Sequence, residues 1–130
     1  LLGRPYDLTG TVEHGEQEGR RMGFPTANLH VATLGKLIPA GGVYAVSVQM
    51  ADDGLSWPAM TNIGLRPTFG EGHRQTIETH IFGFSGDLYG RRITLSFVRR
   101  LRDEQHFSSP EALACQMAID AEQCKIILSK

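Results

Sequence analysis

Apolar and polar residues alternate along most of this chain, with the period of two that marks half-buried strands. The clearest case is residues 42–50, GVYAVSVQM, where Tyr44, Val46, Val48 and Met50 share one face and Val43, Ala45, Ser47 and Gln49 the other. Asp52-Asp53-Gly54 follows as a hairpin turn, with glycine where the backbone needs a positive φ. The expected partner strand is LSWPAMTNIG, in which Pro58 requires an edge or a bulge because it has no N–H for a ladder. YDLTGTVEHG, RQTIETHIF and RRITLSFVRRL read as further strands, the last two joined through the turn-like Ser85-Gly86-Asp87 and Gly90. In RQTIETHIF, Ile77 and Ile81 face the core, which puts Glu78, His80 and Phe82 on the opposite face. Phe82 then needs a cover, which a ligand or a helix can supply.

The period changes after residue 108. Ser109-Pro110-Glu111 offers an N-cap, a proline at the first helical position and an acid at the positive helix end. Leu113, Met117, Ala121, Cys124 and Leu128 recur at spacings of three and four, which predicts one amphipathic helix over about 110–128. Closely spaced strands followed by a single helix argue for a mainly β protein, a small antiparallel barrel or sandwich with the helix lying against it. A barrel of about six strands is filled by its own side chains, so function is expected on loops and rim. The loops with unusual chemistry are 15–28, 62–70 and 103–109.

Composition narrows the classes. A length of 130 residues suits a single domain, 1–130, and 41% hydrophobic with 21% charged residues argues against disorder. The net charge of -1 disfavours a nonspecific nucleic-acid binder, so an anionic ligand needs local donors or a metal. The arginines of RRITLSFVRRLR cluster at the strand ends and read as solvated rims. Cys115 and Cys124, nine residues apart on one helix, lie about 13 Å apart along its axis and point in opposite directions. That is beyond disulfide reach, and both read as buried thiols of a cytoplasmic protein. No apolar run reaches about 18 residues and no signal-peptide pattern opens the chain, so no membrane association is expected. The first residue is Leu1, which suggests a piece of a longer polypeptide.

Candidate chemistry is sparse but ordered. The five histidines form no HxxxH or HxH pair and no cysteine joins them, which speaks against zinc. In MGFPTANL, Thr26 and Asn28 project from one face if the backbone is extended. A hydroxyl and a carboxamide oxygen are hard neutral ligands suited to Mg²⁺, which keeps most of its shell for water and phosphate. Gly15, Gly19 and Gly23 let backbone N–H groups approach an anion, and Arg20 or Arg21 can add charge-assisted bonds. A surface turn with an Asx cap accounts for the same residue types. Glu78 is either a solvated strand residue or a general base whose pKa burial raises.

The ordered set HGEQEGRRMGFPTANL, GVYAV, TNIGLRPTFG, ETHIFGFSGDLYGRRI and RLRDEQHFSS, with the helix behind it, resembles the riboflavin kinase domain. The form it resembles is the C-terminal half of bacterial bifunctional riboflavin kinase/FMN adenylyltransferases, over residues 3–128. The resemblance implies a six-stranded antiparallel Greek-key barrel with a C-terminal α-helix. It also implies transfer of the ATP γ-phosphate to the ribityl 5′-hydroxyl of riboflavin, giving FMN and ADP. By motif, Thr26 and Asn28 bind Mg²⁺-ATP, Gly15 and Arg20 belong to a loop arching over the nucleotide, and Glu78 is the general base. Tyr89 of DLYG borders the nucleotide, and Arg102 and Phe107 lie in a flap over the flavin. Mg²⁺ is the implied cofactor, and an N-terminal FMN adenylyltransferase domain is the implied neighbour in the full-length chain. Without that neighbour, this chain should stop at FMN. The alternative is a non-catalytic nucleotide- or flavin-binding barrel, which is expected to lose Glu78 or the Thr26/Asn28 pair; all three are present.

Overall fold

The computed structural model describes residues 6–13, 26–30, 40–67, 73–84 and 88–129. Among these the alternating segments become six strands: β1 (Tyr6–Glu13), β2 (Ala27–His30), β3 (Gly42–Met50), β4 (Ser56–Pro67), β5 (His73–Ile81) and β6 (Arg92–Arg102). One helix, α1 (Pro110–Leu128), follows. Every strand pair is antiparallel, and the order β1-β2-β5-β4-β3-β6 closes on itself. β3, β4 and β5 form a meander and β6 returns to lie beside β3, which is a Greek key. Closure gives each of the six described strands a neighbour on both sides, although β2 pairs with only short stretches of β1 and β5.

Alternation decides what fills the barrel. Tyr44, Val46, Val48 and Met50 of β3 point inward with Ala59 and Ile63 of β4, Ile77 and Ile81 of β5, and Ile93, Leu95 and Phe97 of β6. The Tyr44 and Phe97 rings meet edge to face with centroids 5.1 Å apart. Two polar residues join them inside, Thr61 and Thr79, and their hydroxyls hydrogen-bond to each other at 2.9 Å. That pairing offsets the cost of taking both groups out of water.

The β3–β4 hairpin turns at residues 51–54, where Gly54 has φ +72° and its N–H donates to the Met50 carbonyl. Pro58 lies inside the β3–β4 ladder, opposite Ser47, with β5 on its other side. There it meets only the end of β5: the Phe82 N–H donates to the Pro58 carbonyl, and proline has no N–H to return the bond. The β4–β5 pairing accordingly begins at Ala59 and Ile81. The requirement for an edge is thus met locally within a closed sheet. Two register shifts between β3 and β6, at Val43/Tyr44 and Ala45/Val46, bend the last third of β6.

The helix packs on the outside of the wall. Ser109 Oγ accepts from the Ala112 N–H at 3.1 Å and caps the first turn. Ala121 and Cys124 pack against outward-facing Ala45, Met60 and Phe82, with Leu101, Met117, Ile127 and Leu128 around them. Phe82 therefore has its cover, and the Lys125 ammonium stands 5.3 Å from its ring centroid. Leu113 is half-buried and stays outside this cluster. Only one of the two cysteines is buried: Cys124 faces the barrel, and Cys115, half a turn round the helix, is exposed. No helix among the described residues is long and apolar enough to cross a membrane.

Candidate active site

Outward-facing residues of β2, β5 and β4 meet in one cross-strand row. Asn28 of β2 lies opposite Glu78 of β5, and Glu78 lies opposite Asn62 of β4. Directly opposed side chains on one face of an antiparallel pair have Cβ atoms about 4.5–5.5 Å apart. A carboxylate is therefore flanked by two carboxamides. All three residues are half-buried. Thr26, just before β2, reaches the same spot: its hydroxyl donates to Glu78 Oε1 at 3.5 Å. Residues 26 and 28 project together here, as their spacing predicts for extended backbone.

The electrostatics of this row are one-sided. Asn28 Oδ1 and Asn62 Oδ1 are buried acceptors without a hydrogen-bond donor among the described residues. Thr76 Oγ1, two residues before Glu78 on the same face and opposite the side-chain-free Gly64, is also buried and unpaired among the described residues, though a hydroxyl can donate as well as accept. Buried acceptors left unpaired cost about 1–3 kcal/mol each, so such a cluster is stable only if something supplies donors or positive charge. Among the described residues, no three His, Cys, Asp or Glu side chains converge on a metal position. What the wall offers a cation is the Thr26 hydroxyl and the orphaned Asn28 carboxamide oxygen. Few, hard, neutral oxygens fit Mg²⁺ carrying water and phosphate better than a softer metal.

The remaining candidates flank the row on opposite sides. Tyr89 is exposed, in a turn whose next residue, Gly90, donates its N–H to the Val12 carbonyl. Val12 precedes Glu13, which lies opposite Asn28, so the turn of Tyr89 lies on the β1–β2 side of the row, about three strand spacings from Glu78. Arg102 lies on the other side: Asn62 is opposite Val43, and Val43 is opposite Arg102. At one strand spacing per step this puts Arg102 about 14 Å along the wall from Glu78. Its guanidinium forks onto Asp120 of α1 with bonds of 3.1, 3.2 and 2.7 Å, and also donates to the Asp103 carbonyl. The Phe107 ring centroid is 5.9 Å from the guanidinium carbon. Arg102 and Phe107, five positions apart in sequence, are thus brought together at the foot of the helix. Gly15 and Arg20 lie outside the described residues.

Three residues with a part in this arrangement escape a reading by motif. Asn62 and Thr76 are visible only once the β4–β5 register is known. Asp120 is 2% exposed and also accepts from Gln116 at 3.0 Å. A carboxylate among the apolar positions of an amphipathic helix, four residues after a glutamine, was the available signal. Asn28, Glu78 and Asn62 sit on strands, on the outer wall of a barrel whose interior is full.

The fold is a closed Greek-key β-barrel that carries a carboxylate beside hard oxygen donors on its outer wall. The family model for riboflavin kinase (flavokinase) matches residues 2–128. The bifunctional riboflavin kinase/FMN adenylyltransferase of Pseudomonas fluorescens is 46% identical over 122 residues, which is 94% of this chain and 37% of that protein. A Streptococcus pneumoniae structure described as a macrolide-efflux protein superposes with a TM-score of 0.86 at 36% identity, over 96% of this chain and 40% of that one. The riboflavin kinase of Trypanosoma brucei superposes with a TM-score of 0.66 at 24% identity, over 100% of this chain and 83% of that one, a likeness of fold. The chain belongs to the riboflavin kinase family. It spans about 37–40% of the length of the curated relatives it matches.

Proposed function

We propose that this chain transfers the γ-phosphoryl group of ATP to the 5′-hydroxyl of riboflavin, with Glu78 as general base and Thr26 and Asn28 as the residues that hold Mg²⁺-ATP. One observation carries the reading: Thr26, Asn28 and Glu78, about fifty positions apart in sequence, meet on one patch of wall through a cross-strand pair and a 3.5 Å hydrogen bond. The Mg²⁺ ion, when bound, supplies the charge neutralisation that a chain of net charge -1 lacks.

Phosphoryl transfer asks mainly for alignment and electrostatics. The acceptor hydroxyl oxygen forms a bond to the γ-phosphorus while the bond from that phosphorus to the β-bridging oxygen breaks, and ADP leaves. The hydroxyl proton goes to a Glu78 carboxylate oxygen. The Thr26 hydroxyl, hydrogen-bonded to Oε1, holds that carboxylate in place and ties the proton acceptor to the nucleotide side of the site. Tyr89 borders that same side, and the unit formed by Arg102, Asp120 and Phe107 presents an aromatic face on the other, where a flavin ring can stack. The same reading puts Gly15 and Arg20 above the nucleotide, and an FMN adenylyltransferase unit beside this one in the full-length protein.

The test is direct. Purified chain is mixed with riboflavin, ATP and Mg²⁺, and the flavins are separated by chromatography. FMN without FAD is the expected product; riboflavin bound tightly but left unphosphorylated would make the chain a passive flavin-binding barrel.

A further inference from the structure

The Thr26, Asn28 and Glu78 group leaves one neighbour unused. Asn62 stands directly across from Glu78 on the side away from Asn28, and its Oδ1 is buried without a donor among the described residues. Polarity along the wall says which ligand reaches it. Thr26, Asn28 and the turn of Tyr89 lie towards β1 and β2, whereas Asn62 leads through Val43 to Arg102 and Phe107. Asn62 is therefore on the acceptor's side of the base. A carboxamide oxygen there cannot pair with Glu78, because a carboxylate is also acceptor-only. Nor does Arg102 satisfy it, since that guanidinium is spent on Asp120 and the Asp103 carbonyl. An acceptor substrate can bring the missing donor: a polyol has one on the carbon next to the reacting hydroxyl.

We infer that Asn62 is a specificity-determining residue that accepts a hydrogen bond from the hydroxyl adjacent to the one phosphorylated, the ribityl 4′-hydroxyl. This rests on the kinase reading above. Glu78 and Asn62, side by side across β5 and β4, then take two neighbouring hydroxyls of one chain, which fixes the rotation of the terminal carbon and aims the 5′-oxygen. An acceptor without the 4′-hydroxyl leaves Asn62 Oδ1 unpaired and is discriminated against for that reason.

The experiment compares riboflavin with 4′-deoxyriboflavin at saturating Mg²⁺-ATP, for the unaltered chain and for Asn62→Ala and Asn62→Ser. The unaltered chain is expected to prefer riboflavin in kcat/KM by about 10- to 100-fold. Asn62→Ala should reduce that preference to within about threefold, with an unchanged KM for ATP. Asn62→Ser keeps a shorter acceptor and should fall between them; it also carries the test if Asn62→Ala does not fold. A preference of the unaltered chain that either variant keeps in full overturns the inference, as does an unaltered chain that turns over both acceptors equally. In both of those outcomes the kinase reading survives. An unaltered chain inert towards both flavins overturns that reading and this inference together.

Discussion

Two patches on the outer wall of this barrel share the same strands and differ in nearly everything else. At one, Met60 of β4, Ala45 of β3 and Phe82, just beyond β5, are sealed under Ala121 and Cys124 of α1. At the other, two residues further along β4, Asn62 sits beside Glu78, and its carboxamide oxygen has no donor among the described residues. Period-two alternation places both patches outward by the same rule. What separates them is whether the chain supplies the other half of the contact. The apolar patch is completed by the helix, whereas the acceptors of the polar one find no donor among the described residues. A barrel with a full interior can thus still be an enzyme, because its wall is divided between a part that stabilises and a part that waits.

That division can be broken from either side. The largest effect is expected from Glu78→Gln, which keeps the shape of the row but removes the proton acceptor: kcat should fall by about 10²- to 10⁴-fold while KM for ATP changes little, as read from steady-state FMN formation. Thr26→Ala should mainly raise KM for Mg²⁺-ATP, with a smaller fall in kcat as Glu78 loses its hydrogen bond. At the helix, Asp120→Ala leaves Arg102 facing a mostly buried site without its partner. Because Arg102 is 20% exposed, the cost should lie nearer 2 to 3 kcal/mol than the roughly 3–5 of a fully buried pair, or on the order of 10 °C in Tm by thermal melting.

Cys124 gives a pH-dependent test of the sealed patch. Burial, with the Asp120 carboxylate nearby, pushes its thiol from 9.0 up to about 12. Below pH 9.0 folded and unfolded chains both carry the proton. Above it the unfolded chain releases the proton and the folded chain keeps it, so stability falls as pH rises through this window. The slope is about 1.4 kcal/mol per pH unit, and it should be absent from the Cys124→Ala protein when the two stability–pH curves are compared by denaturant titration. Smallest is Ser109→Ala, which removes the bond to the Ala112 N–H and should cost about 1 kcal/mol with no change in kcat.

Much of the barrel could be read before the fold was known, because alternation is a local signal. Tyr44, Val46, Val48 and Met50 point inward as the pattern requires, and Asp52-Asp53-Gly54 makes its turn. The order of the strands is non-local, and periodicity alone left barrel and sandwich open; only the ordered motifs pointed to a Greek key. The site divides in the same way. Thr26, Asn28 and Glu78 stood out by type and motif, but their convergence is a fact of register. Asn62 has no signature of its own, because an asparagine in a strand is ordinary until its neighbour is known. Arg102 stood out while Asp120, which holds it, did not, since a carboxylate on a helix reads as solvent-facing unless its partner is seen. Cys115 and Cys124 show the limit of composition: geometry put them on opposite faces, and only one face is covered.

The most direct measurement is a crystal structure of this chain with riboflavin and a non-hydrolysable ATP analogue. The account predicts the ribityl 5′-oxygen about 2.6–3.2 Å from a Glu78 carboxylate oxygen, or one water away, with the triphosphate on the Thr26–Asn28 side and the flavin towards Phe107. A ribityl chain bound elsewhere on the barrel, with Glu78 facing only solvent, would contradict it.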